Sequence, residues 1–318
     1  MNKIFCIGEA LIDMICTDKG QSLTDGENFL KKAGGAPMNV AAAIAALGGD
    51  VAVAAKVGAD PFGKHLKEVL TTFSVDTSLI FEDPHHFTTF AFVSLMNNGE
   101  RDFYFNRGAD GQLHTDDIQS LNWSDFKIFH FGSATAFLGG PLQATYTSVL
   151  QQARKQNGFI SFDPNYRHLL FGNRQQEFIS RSWEFISACH FFKISDEEAF
   201  LLTNTQDVHT AARIFLEKSD AVFAITLGAD GTLLGYKNEI ITIPSIKVNP
   251  IDTTGAGDAF VGAVLYQLSK MKSSDLTSLD FFSWQQIVTQ ANKAGARTCE
   301  YMGAMEAFRH LSQDIIKK

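Results

Sequence analysis

The run 252–258, DTTGAGD, sets two glycines and a carboxylate at the entrance to an apolar helical stretch, AFVGAVLYQL. The segment before it, 243–248, reads as extended. Gly255 and Gly257 let the backbone turn tightly and approach a ligand. The amides of Ala256, Gly257 and Asp258 then fall at a helix N-terminus, where unpaired N–H groups and the helix dipole attract an anion. Asp258 places a carboxylate at the same spot. That pairing suits phosphoryl transfer to an alcohol: the carboxylate takes the hydroxyl proton while the amides hold the migrating charge. The plainer reading is a glycine-rich turn with an aspartate near the helix start.

Three further clusters could serve such a reaction. Gly34 and Gly35 precede a helix with Pro37 in its first turn, which opens the backbone to a small polar ligand. Asn39 on that helix can donate and accept, as a sugar hydroxyl requires. In FDPNYR, Asp163, Asn165 and Arg167 follow a strand, and the Arg167 fork matches a phosphate. Ser195 to Glu198 reads S-x-x-E, a capping box, which by itself explains both residues.

These residues need a scaffold, and the chain supplies a regular one. Strand patterns at 4–8, 51–57, 127–131, 159–163, 190–194 and 221–226 alternate with helical patterns at 37–47, 61–73, 141–156, 174–188 and 196–202. Hairpins are predicted around Asn98-Gly99 and Lys237-Asn238, and long helices over 255–271 and 283–298. Such alternation predicts an α/β protein with a mostly parallel central sheet covered by helices on both faces. Ligands of such sheets bind beyond the carboxyl ends of the strands, here the loops 9–13, 132–135, 163–167, 195–198 and 226–231. The segments 14–33 and 86–107 break the alternation and read as a small accessory β-sheet. Arg107, at the end of the second, is counted among the substrate contacts. A single domain over 1–318 accommodates all of this.

Bulk properties narrow the partners. The 318 residues carry a net charge of −8, which argues against nucleic acid and anionic membranes. The four cysteines show no CxxC spacing, so zinc and disulfides are not expected, and a reducing cytoplasmic setting is. The N-terminus lacks a secretory pattern, and no apolar run reaches about 18 residues. The 28 Phe residues are dispersed and read as core.

AGGAPMNVAAAIAALGG (33–49) and DTTGAGDAFVGA (252–263) resemble the two signature regions of the ribokinase-like (PfkB) sugar kinase family. KVGADPFGKHL, SFDPNYR, KISDEEAFLLT and ITLGADG, in order and spacing, are most similar to its fructokinases, including bacterial ones. The likeness covers essentially the whole chain. It implies a three-layer α/β/α fold with a β-sheet lid, ATP and Mg²⁺ as cofactors, and phosphorylation of a terminal sugar hydroxyl, with D-fructose favoured. By this likeness Asp13, Gly34, Gly35 and Asn39 hold the sugar, and Arg167 reaches the transferring phosphate. Glu198 orders magnesium, although Ser195 stands where many relatives carry Asn. Thr226, Gly228 and Gly231 line the nucleotide, with Asn292 beside the adenine. Asp252, Thr254 and the region 298–307 would hold K⁺, although Ala307 stands where some ribokinases offer Ser. The lids of such kinases often pair in a homodimer. Lys193 and Lys293 are further cations for a phosphate, and the sequence does not choose between them.

Other readings stay open at this stage: kinases of ribose, of aminoimidazole riboside or another nucleoside, or of 2-keto-3-deoxygluconate, and a silent sugar-binding regulator on the same fold. GADPFGKH (58–65) fits a P-loop spacing but has His65 where Ser or Thr must hold magnesium. It reads instead as a helix start capped by Asp60. No intact GxGxxG follows a strand, which disfavours a dinucleotide enzyme. His85-His86 has no ligand companions and reads as a loop pair.

Overall fold

The computed structural model describes residues 1–97 and 101–317. Thirteen strands are formed: β1 Lys3–Ile7, β2 Leu11–Cys16, β3 Phe29–Gly34, β4 Val51–Gly58, β5 Ile80–Asp83, β6 Phe90–Leu95, β7 Arg101–Asn106, β8 Phe126–Phe131, β9 Phe159–Phe162, β10 Phe191–Ser195, β11 Val222–Thr226, β12 Thr232–Tyr236 and β13 Glu239–Ile243. The helices are α1 Ala36–Ala46, α2 Pro61–Thr72, α3 Pro141–Lys155, α4 His168–Phe171, α5 Gln175–Ile186, α6 Asp196–Thr203, α7 Val208–Lys218, α8 Ala256–Ser269, α9 Phe281–Thr298, α10 Ala304–Phe308 and α11 Gln313–Lys317.

Nine strands form the main sheet, in the order β13-β12-β11-β10-β9-β8-β1-β4-β5. From β11 to β5 neighbours run parallel, and the hairpin β12–β13 adds an antiparallel edge. Alternate side chains feed the two faces. Ile4 and Cys6 of β1 join the core under α1, α8 and α9, while Phe5 and Ile7 join the core under α3, α5 and α7. The second core takes most of the aromatic bulk, with Phe131, Phe137, Phe162 and Phe185 packed mostly at tilted or edge-on angles.

Strand order reverses between β1 and β8. From β1 the chain builds outward to β4 and β5, and from β8 outward to β11. Such a switch point opens a crevice at the carboxyl ends of the two strands. A second sheet, β3-β2-β6-β7, adjoins it where β1 runs on into β2 and β3 into α1. On one face of this sheet Phe90 packs against Phe62 of α2. The other face carries Asp13 and, farther along the strands, Ile15 opposite Leu30.

Some expectations change. The accessory sheet begins at Leu11, so Asp13 lies within β2 rather than in a loop after β1. Strand β5 and helices α4, α7, α10 and α11 are additional to the expected elements. The buried positions of α7 are Ala211, Ala212 and Phe215, and two alanines add little to an apolar pattern. The Asn98-Gly99 turn lies outside the described residues, and β6 and β7 pair antiparallel. Asp60 caps α2 through the amides of Phe62 and Gly63, and the Asp83 carboxylate accepts from His85 N and His86 N. No helix among the described residues is long and apolar enough to cross a membrane.

Candidate active site

At the start of α8, Gly255 takes a left-handed φ of +83°. A Cβ there would lie 2.5 Å from Ala304 Cβ, so the turn is seated directly on α10. Asp252 fixes the loop from the other side. One carboxylate oxygen accepts from Thr254 N and Oγ1, and the other from Gly303 N at 2.7 Å. Burial pushes this carboxyl up, but the Thr254 and Gly303 hydrogen bonds hold it below the usual value. The expected trio of anion-binding amides is reduced by one: Ala256 N donates to Thr253 O at 3.2 Å. Gly257 and Asp258, in the first helical turn, have no intrahelical acceptor and remain as donors.

Asp258 projects from that turn toward α1. Its Oδ2 accepts from Asn39 Nδ2 at 2.8 Å, across 219 residues of sequence. Loss of water raises the Asp258 carboxyl to about 6, with the nearby Asp163 charge adding to the rise, while Asn39, Lys193 and Arg167 pull the other way. Perturbation of this kind in a cleft is characteristic of acid–base groups. Asn39 Oδ1 is buried and without a protein partner, so the same amide that holds Asp258 also turns an acceptor toward the crevice.

The glycines before α1 have steric reasons. A Cβ at Gly34 would lie 2.1 Å from Asp13 Oδ2, and at Gly35 (φ +108°) it would strike Glu9 O at 2.4 Å. The Asp13 carboxyl is also raised to about 6, by desolvation first, with Arg167 opposing and Glu9 adding to the rise. Arg167 itself is exposed at the rim, where its one protein hydrogen bond is to Tyr166 O.

Several expected contacts turn out to build the site rather than face it. All three Arg107 nitrogens are engaged, by Asp110, Gly139 O and Thr135 O. Asn165 takes φ +53° and its Nδ2 donates to Gly132 O. Asn292 is buried, accepting from Thr232 Oγ1 and donating to Ile243 O, which pins α9 to the β12–β13 hairpin. Glu198 completes the capping box with Ser195 and also accepts from Tyr166 N at 2.7 Å, tying the 163–167 loop to α6. Each oxygen keeps a free lone pair, enough to orient a water but not to act as one corner of a carboxylate cage. Indeed, no cluster of three or more His, Cys, Asp or Glu that could hold a metal exists among the described residues. Thr226, Gly228 and Gly231 lie at the carboxyl end of β11, with Thr226 Oγ1 bonded to Ile194 O and both glycines at positive φ.

Two residues whose roles the sequence did not assign organise the crevice. Glu9, 1% exposed, accepts from Ala36 N at 3.0 Å and from Ser133 Oγ at 2.5 Å, and so joins the ends of β1 and β8 to the start of α1. Burial raises its carboxyl, against those hydrogen bonds. Lys193 is buried on β10 and pairs with Asp163 at 3.1 Å. In both cases the available signal was a charge where the pattern calls for an apolar or small residue.

A family model described as pfkB family carbohydrate kinase matches residues 1–310. The chain belongs to that family. Among curated members, this pfkB kinase is 34% identical over 307 residues to fructokinase-1 of Zea mays, covering 95% of this chain and 93% of that protein. A double mutant of the Vibrio cholerae O395 fructokinase, solved with fructose, ADP and a potassium ion, superimposes with a TM-score of 0.85 at 31% identity, over 100% of this chain and 97% of that one. The Xylella fastidiosa fructokinase with bound ATP gives 0.86 at 29% identity, over 99% and 97%. The two-sheet architecture is thus the ribokinase-like α/β/α fold, and the chain is a sugar kinase.

Proposed function

We propose that this kinase transfers the γ-phosphoryl group of ATP to the terminal hydroxyl of D-fructose, giving fructose 6-phosphate and ADP. The observation that carries this reading is Asp258, held by Asn39 of the sugar loop in the first turn of α8. Asp258 takes the proton of the attacking hydroxyl, whose oxygen forms the new bond to phosphorus as the bond to ADP breaks. The Gly257 and Asp258 amides receive the charge of the transferring group. Such transition states are loose, so placement and electrostatics contribute more than the base. Asp13 accepts from two sugar hydroxyls, and Arg167 at the rim meets the phosphoryl group. Thr226, Gly228 and Gly231 take the nucleotide. Glu198 would orient a water of the magnesium ion that accompanies ATP, and that ion would supply positive charge to the phosphates. Asp252, Thr254 and the region 298–307 would hold a potassium ion that braces the anion-binding turn.

A panel of sugars with ATP and magnesium tests the assignment. Fructose should give the highest kcat/KM, above ribose, aminoimidazole riboside and 2-keto-3-deoxygluconate. A higher value for any of these would move the assignment to that sugar, and no turnover with any sugar would favour the silent regulator.

The sugar contact predicts a selective defect. Losing a charged acceptor costs about 1.5–3 kcal/mol, so Asp13→Ala should raise KM for fructose by about tenfold or more and leave KM for ATP nearly unchanged. Equal damage to both constants would point to misfolding instead.

The accessory sheet is read as a lid that excludes water on closure, and as a dimer surface. On the Asp13 face, Ile15, Leu30 and Leu95 are 40%, 44% and 61% exposed, an apolar stripe that a second lid would cover. Sedimentation at working concentration should give a dimer that Leu95→Lys weakens. A monomeric wild type would refute the dimer.

A further inference from the structure

Lys193 is the third residue of β10, in a strand otherwise made of Phe, Ile and a terminal Ser. Phe191, two residues earlier and so on the same face, stacks on Trp284 of α9 at 5.3 Å. Lys193 therefore points into the layer covered by α8 and α9, at the level where α8 begins. The parallel register sets Phe191 beside Ser161 and Phe192 beside Phe162, which brings Asp163, the next residue after β9, level with Lys193. Their charges meet at 3.1 Å. On the other side, a Cβ built on Gly257 would lie 3.1 Å from Lys193 Nζ and 3.5 Å from Cε. The ammonium group is thus wedged between Asp163 and the turn whose amides face the transferring group. Burial works against its charge, but the carboxylates of Asp163, Glu198 and Asp258 more than offset this, and its pKa stays above the usual lysine value. His130, beneath on β8, is held neutral by burial, its pKa lowered to about 3, so it adds no positive charge.

A buried ion pair is weak evidence of stabilisation, because desolvation of both charges can exceed their attraction. The position of this one suggests another use. We propose that Asp163 and Lys193 are a positioning pair that fixes a permanent positive charge against Gly257, where negative charge accumulates as the phosphoryl group transfers. A charge already in place, away from bulk water, stabilises the transition state without reorganising. A Cβ at residue 257 would crowd the ammonium group, which would have to shift by a few tenths of an ångström to admit it. No other lysine among the described residues is both buried and set against the anion-binding turn.

This inference rests on the kinase reading, so turnover of ATP by the wild type with its best sugar is established first. A null result in the variants then counts only against Lys193. Lys193→Met keeps the length of the side chain and removes the charge. It should lower kcat by on the order of 10², the range seen when one stabilising donor is lost. KM for sugar and ATP should stay within roughly threefold, as expected for an interaction made mainly in the transition state. A kcat within threefold of wild type would overturn the proposal.

Removing one partner of a buried pair also destabilises the fold, so the same change is made in Asp163→Asn. If the lysine charge assists transfer, Asp163→Asn/Lys193→Met turns over at least about tenfold more slowly than Asp163→Asn alone. If the pair is only structural, removing the stranded lysine relieves an unpaired buried charge, and the double variant is both more stable and at least as active as Asp163→Asn. That outcome would overturn the proposal even if Lys193→Met alone failed to fold.

Discussion

Asp258→Asn lowers kcat by on the order of 10²–10⁴ and leaves ATP binding intact, since only the proton acceptor is lost. Steady-state kinetics with a nucleotide-binding measurement checks both parts. A variant that keeps more than half of wild-type turnover would remove Asp258 from the role of base. The same carboxyl gives the pH dependence its sign. Asp258 must be ionised to act, and its pKa is raised to about 6, so kcat/KM should fall about tenfold per pH unit below that value. Stability moves the opposite way. Folding raises the pKa of Asp258 and of Asp13 from the ordinary 3.8 to about 6, so the protonated forms favour the folded state. That contribution is complete below 3.8 and lost as the pH rises through 6. At pH 8 the charged, desolvated Asp258 is a burden on the fold. Asp258→Asn, whose own carbonyl can still accept from Asn39, should therefore melt at a higher temperature than wild type at pH 8 and lose that advantage at pH 5. An unchanged or lower melting temperature at pH 8 would contradict the desolvation account.

A loss of about 10² in kcat is expected from Gly255→Ala, because a displacement of about an ångström in positioning groups is sufficient for that. Two costs combine. An alanine in the left-handed region is disfavoured by roughly 1–2 kcal/mol. Its Cβ would also fall 2.5 Å from Ala304 Cβ, with Ala304 Cα at 3.1 Å and Phe308 Cζ at 3.2 Å, and overpacking of this kind costs about 1–3 kcal/mol. The two are separable. Ala304→Gly removes the opposing methyl, so the double variant should recover most of the lost turnover and keep only the backbone penalty. If Gly255→Ala is equally impaired with and without Ala304→Gly, the seating of the turn on α10 is not what sets its position.

The local signals in the sequence were strong where one segment contains both cause and effect. The glycines of DTTGAGD, the Asp60 cap and the S-x-x-E box each act within four residues, and each appears in the structure. So does the parallel sheet, because strands buried on both faces are written as apolar runs such as IFCI and VFAIT. Roles that depend on partners far along the chain were not legible. Asn39 reads as a sugar contact, and nothing near it in sequence indicates that Asp258 takes its amide. Arg107, Asn165 and Asn292 carry polar groups suited to ligands, but backbone carbonyls and a threonine hydroxyl from other segments already occupy them. Glu9 and Lys193 are the converse case. Each is a single charge whose role is set by register and by the strands beside it, and the sequence could not separate Lys193 from Lys293.

The Glu9 tie has a further consequence for how this chain acquires its activity. Its hydrogen bonds to Ala36 and Ser133 span 27 and 124 residues, and the Asn39–Asp258 bond spans 219. Closing such distant contacts costs chain entropy that only a nearly finished fold repays. The crevice therefore cannot mature in a nascent N-terminal portion, however well that portion forms its strands. During refolding, turnover should return with the slowest structural phase. A chain still on the ribosome can neither bind its sugar tightly nor consume ATP before α8 has emerged.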